Sequence, residues 1–89
     1  MKVKDGFLIK KILDDYLVVP TGDNIVDFSV VVSLNESGAF LWEQLKTEKT
    51  EAELIDALMG TYESLERSVA ENDVAEFVSL LQSHGFLDE

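Results

Sequence analysis

Apolar positions in the first third of the chain come in short runs separated by residues that favour turns. The first run spans positions 7–13 and stops at Asp14-Asp15, a plausible tight turn. The second run spans positions 16–19 and stops at Pro20, which lacks an amide donor and suits a strand end. A third run, positions 25–34, contains three consecutive valines. Because both connections are short, these runs predict a three-stranded antiparallel meander.

The last two thirds of the chain carry apolar positions at helical spacing behind residues that start helices. Asn35 is suited to cap a first helix, and Thr50–Glu53 fits a capping box for a second. Ser68–Glu71 offers another capping box for a third. Gly85 suits a left-handed residue after that helix, with the tail from Phe86 packing back. Strands followed by helices predict an α+β fold.

Length and composition predict one folded domain over residues 1–89. The sequence has 46% apolar and 28% charged residues, and it shows no repeat or linker. There is no cysteine, which removes disulfides, thiol chemistry and thiolate metal sites. The first residues resemble neither a signal peptide nor a membrane span, so a cytoplasmic location is expected.

The charge balance argues against polyanionic partners. Eighteen acidic residues face seven basic ones, for a net charge of −11. From Thr50 onward Arg67 is the single basic residue among ten acidic ones, the opposite of a basic recognition helix. We therefore expect no nucleic-acid binding through phosphates and no docking on an anionic membrane.

The residues that carry chemistry do not form a recognisable catalytic or metal site. His84 is the only histidine, and beside a predicted helix end it is better explained as a capping residue. Asp23 and Asp27 lack the alternating oxygen spacing of a calcium loop. No glycine-rich phosphate loop appears. The expectation is a domain that is not an enzyme, needs no cofactor and binds no metal.

Without a catalytic or metal site, the expected function is binding through the surface. A short sheet has open edges, and a valine-rich strand left bare would invite pairing with another chain. Proteins either cover such an edge or use it to receive an added strand. The residues themselves thus predict a small acidic binding domain, with the occupant of the strand edge left open.

Several ordered segments resemble the PqqD-like family, the peptide-recognition elements of pathways that modify ribosomally made peptides. They are Val18–Pro20, Leu34–Trp42 (LNESGAFLW), Thr50–Ile55 (TEAELI), Tyr62, and Asp73–Leu87 with its closing GFL. The segments keep the family's order over positions 16–87. One departure is Lys10, at a first-strand position where the family often has arginine.

The resemblance implies a winged-helix-like fold without catalysis. Family members hold the leader of a precursor peptide and present it to a modifying enzyme, often a radical S-adenosylmethionine protein. In the family the leader adds as a strand to the third strand, in a cleft bounded by the third helix. In this sequence the resemblance places that strand at about Phe28–Leu34 and that helix at about Ser68–His84.

Backbone groups of the strand would bind the leader whatever its sequence, while side chains of strand and helix would form pockets. Helical phase leaves two arrangements. Either Phe77, Leu80 and Leu81 line the cleft, or Phe77 and Leu81 face the core and Glu76, Leu80 and His84 lie nearer the cleft. The expected peptide-binding residues are Ser29, Val30, Val31, Val32, Ser33, Glu76, Phe77, Leu80, Leu81 and His84.

Two other functions are compatible with such a domain. One is a winged-helix nucleic-acid-binding regulator, which the fold permits and the missing basic helix opposes. The other is an interaction domain that forms a homodimer through its exposed strand. Under the favoured hypothesis, the acidic balance suggests that the leader or the modifying enzyme presents basic groups.

Overall fold

The computed structural model describes residues 1–21 and 32–88. Three strands precede three helices, which confirms the predicted α+β fold. The elements are β1 (Phe7–Ile12), β2 (Asp15–Pro20), β3 (Val32–Leu34), α1 (Glu36–Gln44), α2 (Glu51–Thr61) and α3 (Arg67–His84).

The sheet has the order β1-β2-β3, and both pairings are antiparallel, as the meander predicts. The first turn lies one residue earlier than predicted: Ile12 pairs with Asp15, so Leu13 and Asp14 form the loop. Leu13 takes a left-handed φ of 57°, which its residue type does not favour. The first seven positions of the third predicted run, 25–31, lie outside the described residues.

Alternation along the strands gives the sheet a buried and an open face. Val18, Val32 and Leu34 are buried against the helices. Leu17 pairs with Ser33 between them in the register, so these two side chains point to the other face. The core therefore lies on one side of the sheet only.

The first two helices begin as the sequence predicts. The side chain of Asn35 accepts a hydrogen bond from the N–H of Gly38 at 2.8 Å. Thr50 and Glu53 form a reciprocal capping box, in which the N–H of Thr50 donates to Glu53 at 2.9 Å and the N–H of Glu53 donates to Thr50 at 3.1 Å. Both predicted caps are confirmed.

The predicted start of the third helix is wrong. α3 begins at Arg67 after Glu66, whose side chain makes no capping hydrogen bond, and Ser68 already lies in the first turn. The earlier start gives the N–H of the fully buried Ala70 an acceptor, the Glu66 carbonyl at 3.0 Å. Arg67 also reaches Asp56 of α2 at 3.5 Å.

The end of α3 matches the prediction. Gly85 has a left-handed φ of 71°. Its N–H donates to the Gln82 carbonyl at 3.1 Å, and the N–H of Phe86 donates to the Leu81 carbonyl at 2.9 Å, the pattern of a Schellman motif. The tail then packs back, and Leu87 pairs with Val3.

Aromatic rings from the sheet, from α1 and from the tail after α3 pack against one another. Trp42 and Phe86 are fully buried, with ring centroids 5.7 Å apart in an edge-on arrangement. Phe7 of β1 lies 4.9 Å from the Phe86 ring. Among residues 1–21 and 32–88, no helix is both long and apolar enough to cross a bilayer.

Candidate functional site

A cleft opens beside β3, between the start of α1 and the exposed side of α3. Within the described residues β3 pairs with β2 alone, so its other edge faces this opening. The cleft encloses about 200 Å³. We call it the strand cleft, and its lining residues are Ser33, Leu34, Asn35, Ser37, Gly38, Leu41, Asp73, Glu76, Phe77 and Leu80.

A glycine allows the strand and α1 to meet closely at one end of the cleft. A Cβ atom at Gly38 would lie 3.1 Å from Oδ1 of Asn35 and 3.3 Å from the Cβ of Leu34. Leu34 is buried, and Oδ1 of Asn35 is held by the N–H of Gly38, so neither neighbour can move away without loss of packing or of the cap. The Leu-Asn-x-x-Gly pattern therefore has a structural reason: the cap oxygen and the last strand residue occupy the space of a side chain.

The rotation of α3 combines the two arrangements expected from helical phase. Glu76, Phe77 and Leu80 all line the cleft, Phe77 from a largely buried position with 6% of its surface exposed. Leu81 is fully buried and does not line it, because one further residue turns its side chain into the core.

His84 also lies away from the lining of the cleft. Its ring stacks on Phe86, with centroids 5.6 Å apart and planes 19° from parallel. It is the basic residue of the last turn of α3, a position that favours positive charge. A role at the helix end accounts for its place in the fold.

The strand residues fall into two groups. Ser29, Val30 and Val31 lie outside the described residues. Val32 is 9% exposed, and its side chain belongs to the core, so it can offer an added strand only backbone groups. Ser33 is exposed and lines the cleft.

Acidic groups mark the α3 side of the cleft. Asp73 and Glu76 line it, and no lysine or arginine among the described residues does. Nδ2 of Asn72 lies 3.4 Å from Oε1 of Glu76, a weak bond along the helix. The cleft thus combines an apolar floor with a negatively charged rim, which suits a partly apolar ligand with positive charge.

Sequence reasoning missed the α1 side of the cleft and Asp73. Ser37 and Leu41 come from the first two turns of α1, and Asp73 lies one helical turn before Glu76 and Phe77. The signal available was spacing, since positions 73, 76, 77 and 80 share one face of a helix. In the part of the chain that the structure describes, no three metal-binding side chains cluster.

Two solved structures share this architecture. One, of TbiB1 in complex with the TbiA(beta) leader peptide, is 24% identical, covers 99% of this chain and 95% of its own, and has a TM-score of 0.71. The other, of lasso peptide synthetase B1 complexed with the leader peptide, is 19% identical, covers 96% of this chain and 93% of its own, and has a TM-score of 0.67.

Comparison with curated proteins gave no significant match. The family model described as coenzyme PQQ synthesis protein D (PqqD) matches residues 16–87. That match spans the sheet from the second strand onward and all three helices. PqqD-type recognition elements are non-catalytic binding modules. The chain belongs to the PqqD family.

Proposed function

We propose that residues 1–89 form one recognition domain that captures the leader segment of a ribosomally synthesised precursor peptide. The leader adds as a strand to the open edge of β3 and lies in the strand cleft. The observation that carries this proposal is the juxtaposition, on the same side of the molecule, of an edge strand and a cleft with an apolar floor.

Each side of the cleft would contribute differently to binding. Backbone groups of β3 give hydrogen bonds that do not depend on the peptide's sequence. Phe77 and Leu80 give an apolar wall that selects alternate side chains of an added strand. Asp73 and Glu76 favour basic residues at the rim.

The structural neighbours support the same role. Both are bound to leader peptides, and this chain matches the fold of each over nearly its whole length. Family membership adds the absence of catalysis. The proposal assigns this chain the same class of ligand and places it in a cleft formed by its own residues.

Replacement of Leu80 by serine tests the cleft. The probes are fluorescein-labelled synthetic peptides that tile short open reading frames flanking the gene, and the measurement is fluorescence anisotropy. Leu80→Ser removes apolar surface from the wall and should raise the dissociation constant about tenfold, since a buried aliphatic side chain contributes roughly 1.5–3 kcal/mol.

Val69→Ser is the matched control, because Val69 lies on α3, is 44% exposed and does not line the cleft. It should leave the affinity unchanged. Equal effects of the two substitutions, or peptides that never bind, would contradict leader capture in this cleft.

We further propose that the bound leader is presented to a peptide-modifying enzyme such as a radical S-adenosylmethionine protein. The β1–β2 hairpin offers a docking surface away from the helices. Leu8 and Ile12 are 42% and 45% exposed and lie on the open face of the sheet with Lys10 between them. A partner with apolar and acidic groups would complement this face in a chain that is otherwise strongly acidic.

A double substitution tests the docking surface. Leu8→Ser with Ile12→Ser should weaken binding to a purified modifying enzyme from the same gene neighbourhood while leaving peptide affinity unchanged. Enzyme binding that is unaffected would move the docking surface elsewhere. Val69→Ser again serves as the control for loss of an exposed apolar side chain.

A further inference from the structure

A second, larger cavity adjoins the strand cleft at the turn between α2 and α3. It is an open depression of about 620 Å³, a volume comparable with the roughly 300–1,000 Å³ of ligand pockets. We call it the turn pocket, and its lining residues are Ser37, Leu58, Thr61, Tyr62, Glu63, Ser64, Leu65 and Asp73.

The turn pocket has an apolar interior that the fold does not fill. Leu58 is fully buried at its base, and Tyr62 and Leu65 are partly buried against the core. The Tyr62 ring is held edge-on by Phe40, with centroids 6.2 Å apart. An apolar side chain that entered here would lie against the exposed parts of Tyr62 and Leu65, above the buried Leu58.

The pocket is continuous with the strand cleft. Ser37 and Asp73 line both cavities, from the start of α1 and from α3. β3 runs toward this junction, because Leu34 ends the strand and Ser37 lies in the first turn of α1. Each strand pairing among the described residues is antiparallel. A strand added antiparallel to β3 therefore begins at the junction, and the residues before it lie over the turn pocket.

The charges around the turn pocket favour a basic residue next to the apolar residue of the bound peptide. Glu63 and Asp73 line it, and no basic residue of the described chain does. Burial raises the pKa of Tyr62, and the nearby negative charge of Glu36 raises it further. This region of negative potential favours a cationic group beside the apolar one.

We infer that the turn pocket is a second subsite of leader recognition. It takes a bulky apolar side chain, adjacent to a lysine or arginine, from the residues just N-terminal to the strand-forming part of the leader. The inference rests on the proposed function, since it assumes that the peptide lies along β3. It adds an anchor outside the strand cleft and assigns that anchor its chemistry.

A steric plug tests the subsite. The probe is the tightest binder selected on the full chain from a display library of random 16-residue peptides, labelled with fluorescein. Ser64→Trp fills the pocket from an exposed position. Its matched control is Ser68→Trp, the same change at an exposed position that does not line the pocket.

Ser64→Trp should raise the dissociation constant about tenfold or more, the effect of losing one buried apolar side chain, and Ser68→Trp should leave it unchanged. The apolar anchor is the peptide residue whose side chain enters the turn pocket. Its replacement by alanine should raise the dissociation constant for the unsubstituted chain by a similar factor. The Ser64→Trp and Ser68→Trp variants should then bind this alanine peptide with equal affinity. A proline scan of the peptide marks the residues that pair with β3, because proline lacks the N–H that pairing needs. The anchor should lie N-terminal to those residues in the peptide.

Different results would overturn the subsite and the proposed function. Equal affinities of the Ser64→Trp and Ser68→Trp variants for a peptide that shifts the β3 amide resonances would overturn the turn pocket alone. The turn pocket would equally be overturned if Ser64→Trp weakened binding of the anchor-free peptide as much as that of its parent. A selected peptide that leaves the β3 resonances unmoved would overturn the proposed function itself.

Discussion

At two positions the backbone limits which residue type fits. Gly38 sits where a Cβ atom would press on the cap oxygen of Asn35 and on Leu34. Leu13 occupies a left-handed turn position with 89% of its surface exposed. The absence of a side chain at Gly38 allows β3 and α1 to meet closely. The left-handed φ of Leu13 lowers stability, and its exposed side chain gains little packing in return.

Gly38→Ala should destabilise the chain by about 1–2 kcal/mol, the usual cost of inserting a methyl group into a packed site. Gly60→Ala is the matched control, because nothing outside the local backbone of α2 lies within 4 Å of its Cβ position. That substitution should stabilise by about 0.5 kcal/mol through helix propensity. Urea unfolding measures both, and a neutral Gly38→Ala would show that the junction has room to spare.

Leu13→Asn should stabilise the chain by about 0.5–1 kcal/mol, because asparagine tolerates a left-handed φ better than leucine. Val69→Asn removes another exposed apolar side chain without a left-handed φ, so it should bring no gain. Thermal and urea unfolding compare the two. A loss of stability in Leu13→Asn would mean that the leucine side chain makes contacts that outweigh the strain.

At the scale of elements, the predicted helix starts and turns were correct where local hydrogen bonds determine them and wrong where other factors do. The caps at Asn35 and Thr50 follow from local hydrogen bonding, so residue type was enough to find them. The predicted cap at Ser68 was wrong because the buried N–H of Ala70 bonds to the Glu66 carbonyl, and residue type alone does not indicate that tertiary burial. The first turn shifted because nothing in a leucine indicates a left-handed φ at position 13.

The same distinction applies to the site. Helical spacing placed Glu76, Phe77 and Leu80 on one face, but the rotation of α3 decides that Leu81 points inward. That rotation is set by packing against α2 and the common core, which the sequence of a single helix does not encode. The α1 wall was missed for the same reason, since it takes part only through tertiary contact.

The capping box of α2 should make stability depend on acid pH. The hydrogen bond from the Thr50 backbone holds the pKa of Glu53 below its ordinary value. A lowered pKa in the folded state gives stability that is present at neutral pH and is lost as pH falls through that lowered value. Glu53→Gln should therefore lose stability at neutral pH and approach the parent chain in acid.

Glu51→Gln removes the same charge from the first turn of α2 without removing a member of the capping box. Its stability relative to the parent should change less across the same pH range. Urea unfolding at a series of pH values from neutral to below the ordinary glutamate pKa gives the comparison. Identical pH profiles for the two variants would contradict a specific role for the Glu53 charge in the box.

At the scale of the whole molecule, charge is divided between two regions. Four of the seven basic residues lie within the first eleven positions, whereas Glu63, Asp73 and Glu76 line the two cavities. This division separates a surface suited to an acidic partner from one suited to a basic peptide. We therefore expect the acidic excess to favour basic ligands at the cleft as well as to repel polyanions.

Peptide affinity should fall several-fold as NaCl is raised from low concentration to about 0.5 M, because surface charges are screened at that ionic strength. Anisotropy titrations at each salt concentration measure the effect. Replacing both Asp73 and Glu76 by their amides should flatten the dependence. An affinity that does not change with salt in the parent chain would remove electrostatics from leader recognition.

In the proposed complex a leader peptide adds to β3 and contacts α3. The most direct measurement is a two-dimensional NMR titration of the ¹⁵N-labelled chain with peptides tiled from the neighbouring reading frames. The largest amide shifts are expected at Val32–Leu34 and along the cleft face of α3, from Asp73 to Leu80. Shifts confined to the lysine-rich hairpin, with β3 and α3 unmoved, would contradict it.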